Sequence, residues 1–258
     1  MRNIRRTSLA ALMLLATTPI AGESKPAIAF DHVWIVVSPN APERKALEQA
    51  GFHISPNLNR HNGQGTASIT FEFENAYLEL IWPDPLVSVD PGREAVVEKF
   101  RNRMQWRTSG WCPVGVGFRR TGATDPAFPF STWSTASSWM PKGSAIEILT
   151  PRDDTQSPSL FLTPRSLGVN EETNRKLIRS NSPDAAVYNH PVGVHRITSL
   201  RLDSPPHYQP IAAFTYLQKQ GLIRSGSGKE WTLEVTFDGG KQGKMKDMRP
   251  DLPLVVHY

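Results

Sequence analysis

Cysteine is nearly missing from this chain. Cys112 stands alone, so an internal disulfide and a thiolate-rich metal site are both excluded. No apolar run reaches the ~18 residues that a membrane-crossing helix needs. The longest, residues 8–21, is too short for an ordinary span. Basic residues are numerous but scattered, with no run of them and no aromatic platform beside one, which argues against a nucleic-acid partner. Arg93, Lys99, Arg101 and Arg103 share a segment with apolar Val96, Val97, Phe100 and Met104. That spacing predicts an amphipathic helix with a solvated basic face.

What the first residues do contain is a targeting pattern. Arg2, Arg5 and Arg6 precede the short apolar stretch, which holds no acid, and Ala21 offers a small residue for cleavage. Residues 1–21 therefore read as a signal peptide, with export to a bacterial periplasm and no stable membrane insertion once it is removed. Its loss takes three arginines and leaves +2 of the formal +5 charge.

The most informative stretch is residues 61–83, HNGQGTASITFEFENAYLELIWP. Ile69, Phe71 and Phe73 alternate with Thr70, Glu72 and Glu74, the period of a half-buried strand. A second run, residues 77–82, is apolar on both faces except at Glu79. A carboxylate among Leu78, Leu80, Ile81 and Trp82 is costly to bury without a partner. A salt bridge to Arg60 or Arg119 is the ordinary alternative to a functional role. Upstream, FDHVWIVV (residues 30–37) reads as a strand with one polar pair, Asp31 and His32. A helix over residues 40–50 follows, with Asn40 as cap, Pro42 in the first turn, Glu43 as in a capping box and Gly51 as its stop. The order is strand, helix, three strands.

These pieces, with RHNGQGTAS, ENAYLELIW, CPVGVGFRR, AFPFSTW, AIEIL, SLFLTP and NHPVGVHRITSLRL, resemble a glyoxalase-like domain of the vicinal oxygen chelate superfamily. The resemblance covers most of the chain after about residue 28. It implies an α+β fold in which paired βαβββ modules form curved mixed sheets around a concave pocket. It implies no single reaction. The organisation it suggests is a glyoxalase-like module with middle strands and an aromatic loop over residues 28–166, a connecting segment over 167–188, and a C-terminal strand-helix-hairpin module over 189–258. LEQAGF and LQKQGL place Leu47 and Gly51, and Leu217 and Gly221, at one interval. Either the C-terminal or the middle segment could therefore be the partner of the first module.

In related proteins a divalent metal is held by His and Glu of the module strands, and His32 and Glu79 occupy those positions here. His and carboxylate donors suit Zn, Ni, Fe or Mn. Glu147 and His190 are the candidates for completing the set from the second half, with His61 as a local substitute. If residue 37 aligns with residue 202, however, Ile197 stands where His32 does, and Ile cannot ligate. His61, Trp34 and Trp133 are candidate substrate contacts. Gly63 and Gly65 beside His61 either admit a ligand close to the backbone or only turn a hairpin. His32 could equally be a core histidine, and Trp133 a core plug.

Two functions follow. One is a metal-dependent lyase, isomerase or dioxygenase in which Glu79 moves a proton. The other is a metal-free protein that binds or sequesters a small organic molecule. Homodimerisation is left open. Export carries its own test: N-terminal sequencing of the mature protein should begin near Gly22, and a stable cytoplasmic form beginning at Met1 would contradict it.

Overall fold

The structure, a computed structural model, describes residues 27–258; the signal peptide expected over residues 1–21 lies outside them. The first unit is β1 (Ile28–Val36), α1 (Arg44–Gln49), β2 (Asn59–His61), β3 (Thr66–Glu72) and β4 (Tyr77–Pro83). Two helices follow, α2 (Glu94–Met104) and the single turn α3 (Trp106–Ser109). Next come β5 (Val114–Arg120), β6 (Trp133–Thr135), β7 (Ile146–Ile148) and β8 (Ser159–Leu162). After α4 (Glu171–Arg179) the chain forms β9 (Ile197–Ser204), α5 (Ala212–Lys219), β10 (Arg224–Ser227), β11 (Thr232–Phe237), β12 (Met245–Asp247) and β13 (Leu254–His257).

The fold is α+β with two mixed sheets. The larger has the order β2-β3-β4-β1-β5-β8-β7-β6. Its halves repeat one plan: β1 runs parallel to β4 as β5 does to β8, and β1 and β5 meet antiparallel in the middle. The partner of the first module is therefore the middle segment, with the Pro- and Phe-containing stretch 121–132 standing where the first module has its helix. β9–β13 form a separate sheet of order β10-β9-β11-β13-β12. The matched Leu-Gly intervals reflect only a shared way of ending a helix. Gly51 and Gly221 both take positive φ, of 87° and 69°, and the next amide returns to the carbonyl of Leu47 or Leu217 at 3.0 Å.

Alternation divides each central strand between two environments. Val33, Ile35 and Val37 of the first strand region, with Leu78 and Leu80, join Leu47 of α1 and the apolar face of the second sheet in one continuous core. Trp34, Val36 and Ile81 face the other way, against Phe100 and Met104 of α2. Residues 77–82 look apolar on both faces because both faces are covered.

Two local expectations are corrected. Asn40 does not cap α1: Asn40 and Ala41 take left-handed φ of 64° and 47°, and the helix starts at Arg44. Glu43 instead accepts the Ser38 amide at 3.0 Å. Arg103 is not solvated but buried, donating to the Cys112 carbonyl and, at 3.1 Å, to that of Ser157. By contrast α4 buries no side chain. It is fixed by charge: Glu171 meets Arg119 and Arg196, and Glu74 meets Arg196 and Arg175.

Phe237 of β11 packs on Phe52 and Phe73 with centroids 5.4 and 4.8 Å away, tying the sheets together. Phe237→Ala should cost about 3–5 kcal/mol in equilibrium denaturation. A loss below about 1 kcal/mol would contradict this packing.

Candidate functional site

The face of the large sheet turned away from the second sheet lines a cavity of about 700 Å³. His32, Trp34, Thr70, Glu72, Tyr77 and Glu79 stand on its floor, His61 and Trp139 on one wall, and Gly168, Val169, Asn170, Asn174 and Tyr188 on another. His32 and Glu79 thus share a face and a cavity, as do Trp34 and His61.

The floor is organised by Asp31, which is fully buried. The β1–β5 register shifts between Phe30 and His32, leaving Asp31 as an extra residue. Such a bulge re-aims neighbouring side chains, and here Asp31 and His32 reach one another. His32 Nδ1 lies 2.6 Å from Asp31 Oδ1, while the Thr163 hydroxyl and the Val169 amide donate to Asp31 at 3.2 and 2.7 Å. Burial opposes ionisation of Asp31, yet the hydrogen bond and charge of His32, the Val169 amide and Arg119 together hold its carboxyl below the usual value. An ionised carboxylate only accepts, so Nδ1 carries the proton and Nε2 is the nitrogen left for the cavity. The His32 ring stacks on Tyr77 at 4.3 Å and meets the edge of Phe161 at 5.2 Å. It sits over Gly117, where a Cβ would come within 2.8 Å of His32 Cε1.

Glu79 is buried to 6% exposure, and among the described residues its side chain receives no hydrogen bond. Arg60 and Arg119 are not its partners. Its polar neighbour is His61 Nε2 at 3.8 Å, beyond hydrogen-bond length and open to a bridging water. His61 Nδ1 is 3.0 Å from the Thr66 hydroxyl, and its ring packs on Trp139 at 5.0 Å. Burial, helped by His32 and opposed by Glu79, lowers the His61 pKa. Gly63 and Gly65 turn the β2–β3 hairpin and donate to the Ser88 carbonyl at 2.8 and 3.0 Å. Glu72 is pushed up by burial and by the charges of Glu79 and Asp31, against a Thr70 hydrogen bond and His32. The same crowding keeps the Tyr77 hydroxyl protonated: burial, Glu79, Asp31 and Glu72 all raise it. Two carboxylates, Glu72 and Glu79, thus face a cavity whose lining also includes His61 and the exposed Arg60.

Glu147 and His190 do not join this group. Glu147 lies between Ile146 and Ile148, and the alternation that turns those two inward turns it away, onto Arg120 at 2.5 Å and Thr132 at 2.8 Å. His190 is wedged between Phe52 and Phe73, accepting the His53 amide at 2.9 Å and meeting the Glu72 carbonyl at 2.8 Å. Trp133 lines a neighbouring apolar chamber with Trp34, its indole nitrogen donating to the Thr150 carbonyl at 2.9 Å. Asp31, Glu72, Tyr77 and Trp139 complete the site. The sequence signal for the first was the Asp-His doublet in an apolar strand, and for Glu72 the polar phase of the residue 69–74 alternation.

Two modules meeting across a shared concave cavity define a domain of vicinal oxygen chelate type. The sequence matches the family described as a glyoxalase-like domain over residues 30–216, and the chain belongs to that family. A comparison with curated proteins finds no match. Among solved structures, the crystal structure of a hypothetical protein from Staphylococcus aureus is similar over 89% of this chain and 97% of that one, at 8% identity and a TM-score of 0.46.

Members of the superfamily often hold a divalent metal, and the donors here do not fit one. The inward positions of the second module include Gly115, Gly117, Ile146, Ile148, Ser159 and Phe161, none of them an acid or imidazole. Among the described residues no three His, Cys, Asp or Glu side chains are grouped to hold an ion.

His190 gives a pH signature. Burial lowers its pKa from 6.5 to about 4, so between those values the unfolded chain binds the proton that the folded one refuses. Stability should fall as pH drops from 6.5 to about 4 and level off below. His190→Asn should flatten that slope in denaturation curves; an unchanged slope would contradict a neutral buried ring.

Proposed function

We propose that this chain is a glyoxalase-like enzyme that binds a small cationic organic molecule and removes a proton from it with His32, without a metal. The observation carrying this reading is the Asp31–His32 pair. His190 has both ring nitrogens taken by backbone groups, as a structural histidine does. His32 has one nitrogen fixed by a buried carboxylate and turns the other toward a cavity, the arrangement a general base requires.

The charge balance supports a cationic substrate. Glu72 and Glu79 face the cavity above the Asp31 carboxylate, against one exposed arginine of the lining, Arg60, and a negative field disfavours acids and phosphates while attracting ammonium groups. The proton passes to His32 within the same cavity, so the net charge there is unchanged, and the Asp31 carboxylate stabilises the imidazolium that forms. Glu79, without a hydrogen-bond donor of its own, is the carboxylate free to meet the ammonium. His32 Nε2 takes the proton from carbon beside a carbonyl; the electron pair moves to the carbonyl oxygen, and the Tyr77 hydroxyl is a neutral donor in the same cavity. A pure carrier is the second reading, favoured by the same unpaired Glu79, which binds a cation whether or not chemistry follows.

Proton NMR in D2O with 1-aminopropan-2-one separates the two. Exchange of its C–H protons should be accelerated over buffer and fall at least about 10²-fold in His32→Gln. Glu79→Gln should weaken binding about tenfold or more while folding survives. Binding without accelerated exchange would leave the carrier reading in place. Exchange unaffected by His32→Gln would remove His32 as the base.

A further inference from the structure

Beside the acidic cavity lies a second, smaller space of about 140 Å³. The two share one wall, formed by Trp34, Gln64, Phe100, Ile146 and Phe161, so they are neighbouring compartments on one sheet face. Their linings differ in kind. Val96, Trp133, Ile148 and Pro151 close the smaller one, and its surface is mainly apolar. The cations at its far end are already engaged. Lys99 donates to the Arg152 carbonyl at 2.7 Å, Arg93 to the Thr135 hydroxyl at 2.7 Å, and Arg103 to the Ser157 carbonyl at 3.1 Å. Their acceptors are neutral oxygens, so they keep their charge at that end, where Asp154 is the acid of the lining, and the rest of the chamber is left to apolar side chains.

The shape of the shared wall is set by a missing atom. A Cβ on Gly115 would fall 2.0 Å from Trp34 Cε2, so the indole lies directly on the β5 backbone. Its other contacts are Phe100 at 5.6 Å and the Arg103 guanidinium at 5.9 Å. Trp34 is therefore held flat between the compartments.

We infer that the smaller chamber is a specificity pocket for the apolar end of the substrate, sized for one six-membered ring or a branched alkyl group of similar bulk. The inference rests on the acidic cavity holding the cationic end, and it adds what the rest of the molecule must be. An apolar cavity of about 150 Å³ takes a single benzene ring, and a fused second ring exceeds it. Burying the ring removes apolar surface from water on both partners. The substrate is thus an amine-bearing head joined to one small ring or its aliphatic equivalent.

Calorimetric titration with methylamine, benzylamine, 1-naphthylmethylamine and benzoate tests it. Benzylamine should bind about tenfold or more tightly than methylamine, and naphthylmethylamine should lose that advantage. Ile148→Trp, which fills the small chamber at a position that does not line the acidic cavity, should erase the benzylamine advantage and leave methylamine unchanged. Phe100→Ala should do the converse and admit naphthylmethylamine, so a poorly folding Trp variant would not decide the matter. Benzylamine binding no tighter than methylamine overturns the ring pocket and leaves the acidic-head reading standing. Benzoate binding as tightly as benzylamine, and losing that affinity in Ile148→Trp, overturns the acidic head and keeps the ring pocket. No binding of any amine overturns both.

Discussion

The buried carboxylate of Asp31 is the constraint around which the concave side is arranged. A charge with no water contact must be met on every side, or its desolvation cost stands unrelieved. Three parts of the chain meet it: His32 from the same strand, Thr163 just after β8 and Val169 from the segment leading into α4. The second module and the cover of the cavity are therefore both tied to the first strand at one atom group. The bulge that places Asp31 beside His32 belongs to the same arrangement.

A second constraint is the lack of bulk on β5. Gly115 and Gly117 give the inner face room for the rings of Trp34 and His32. In the first module the equivalent face carries His32, Tyr77 and Glu79; in the second it supplies space. This asymmetry turns a twofold-repeated sheet into a one-sided site. The ligands that the superfamily resemblance called for in the second half are missing because the positions that would hold them accommodate the first half's side chains.

The fold was legible in the sequence to the extent that alternation and turn chemistry act locally. The period of residues 69–74, the Gly51 stop and the strand on either side of them all correspond to structure. Asn40 was misjudged because a cap and a left-handed turn favour the same residue type. The LEQAGF and LQKQGL echo was a true signal of helix endings and an uninformative one about strand order, which depends on pairings between distant segments. At the site, His32, Glu79, Trp34 and His61 were visible as polar or aromatic exceptions in their strands. Glu147 and His190 looked equivalent to them, and only the phase of β7 and the backbone partners of His190 set them apart. Asp31 was hidden in plain view, since its role depends on a register shift that no single strand encodes.

The cover formed around α4 has a consequence for how such a protein can diversify. It adds nothing to the apolar core and is fastened by a short ladder of charges. Substitutions on its inner surface therefore alter what the cavity admits without disturbing the packing that keeps the sheets together. The side of the cavity formed by Gly168, Val169, Asn170 and Asn174 can therefore change its chemistry at little cost to the sheets beneath it.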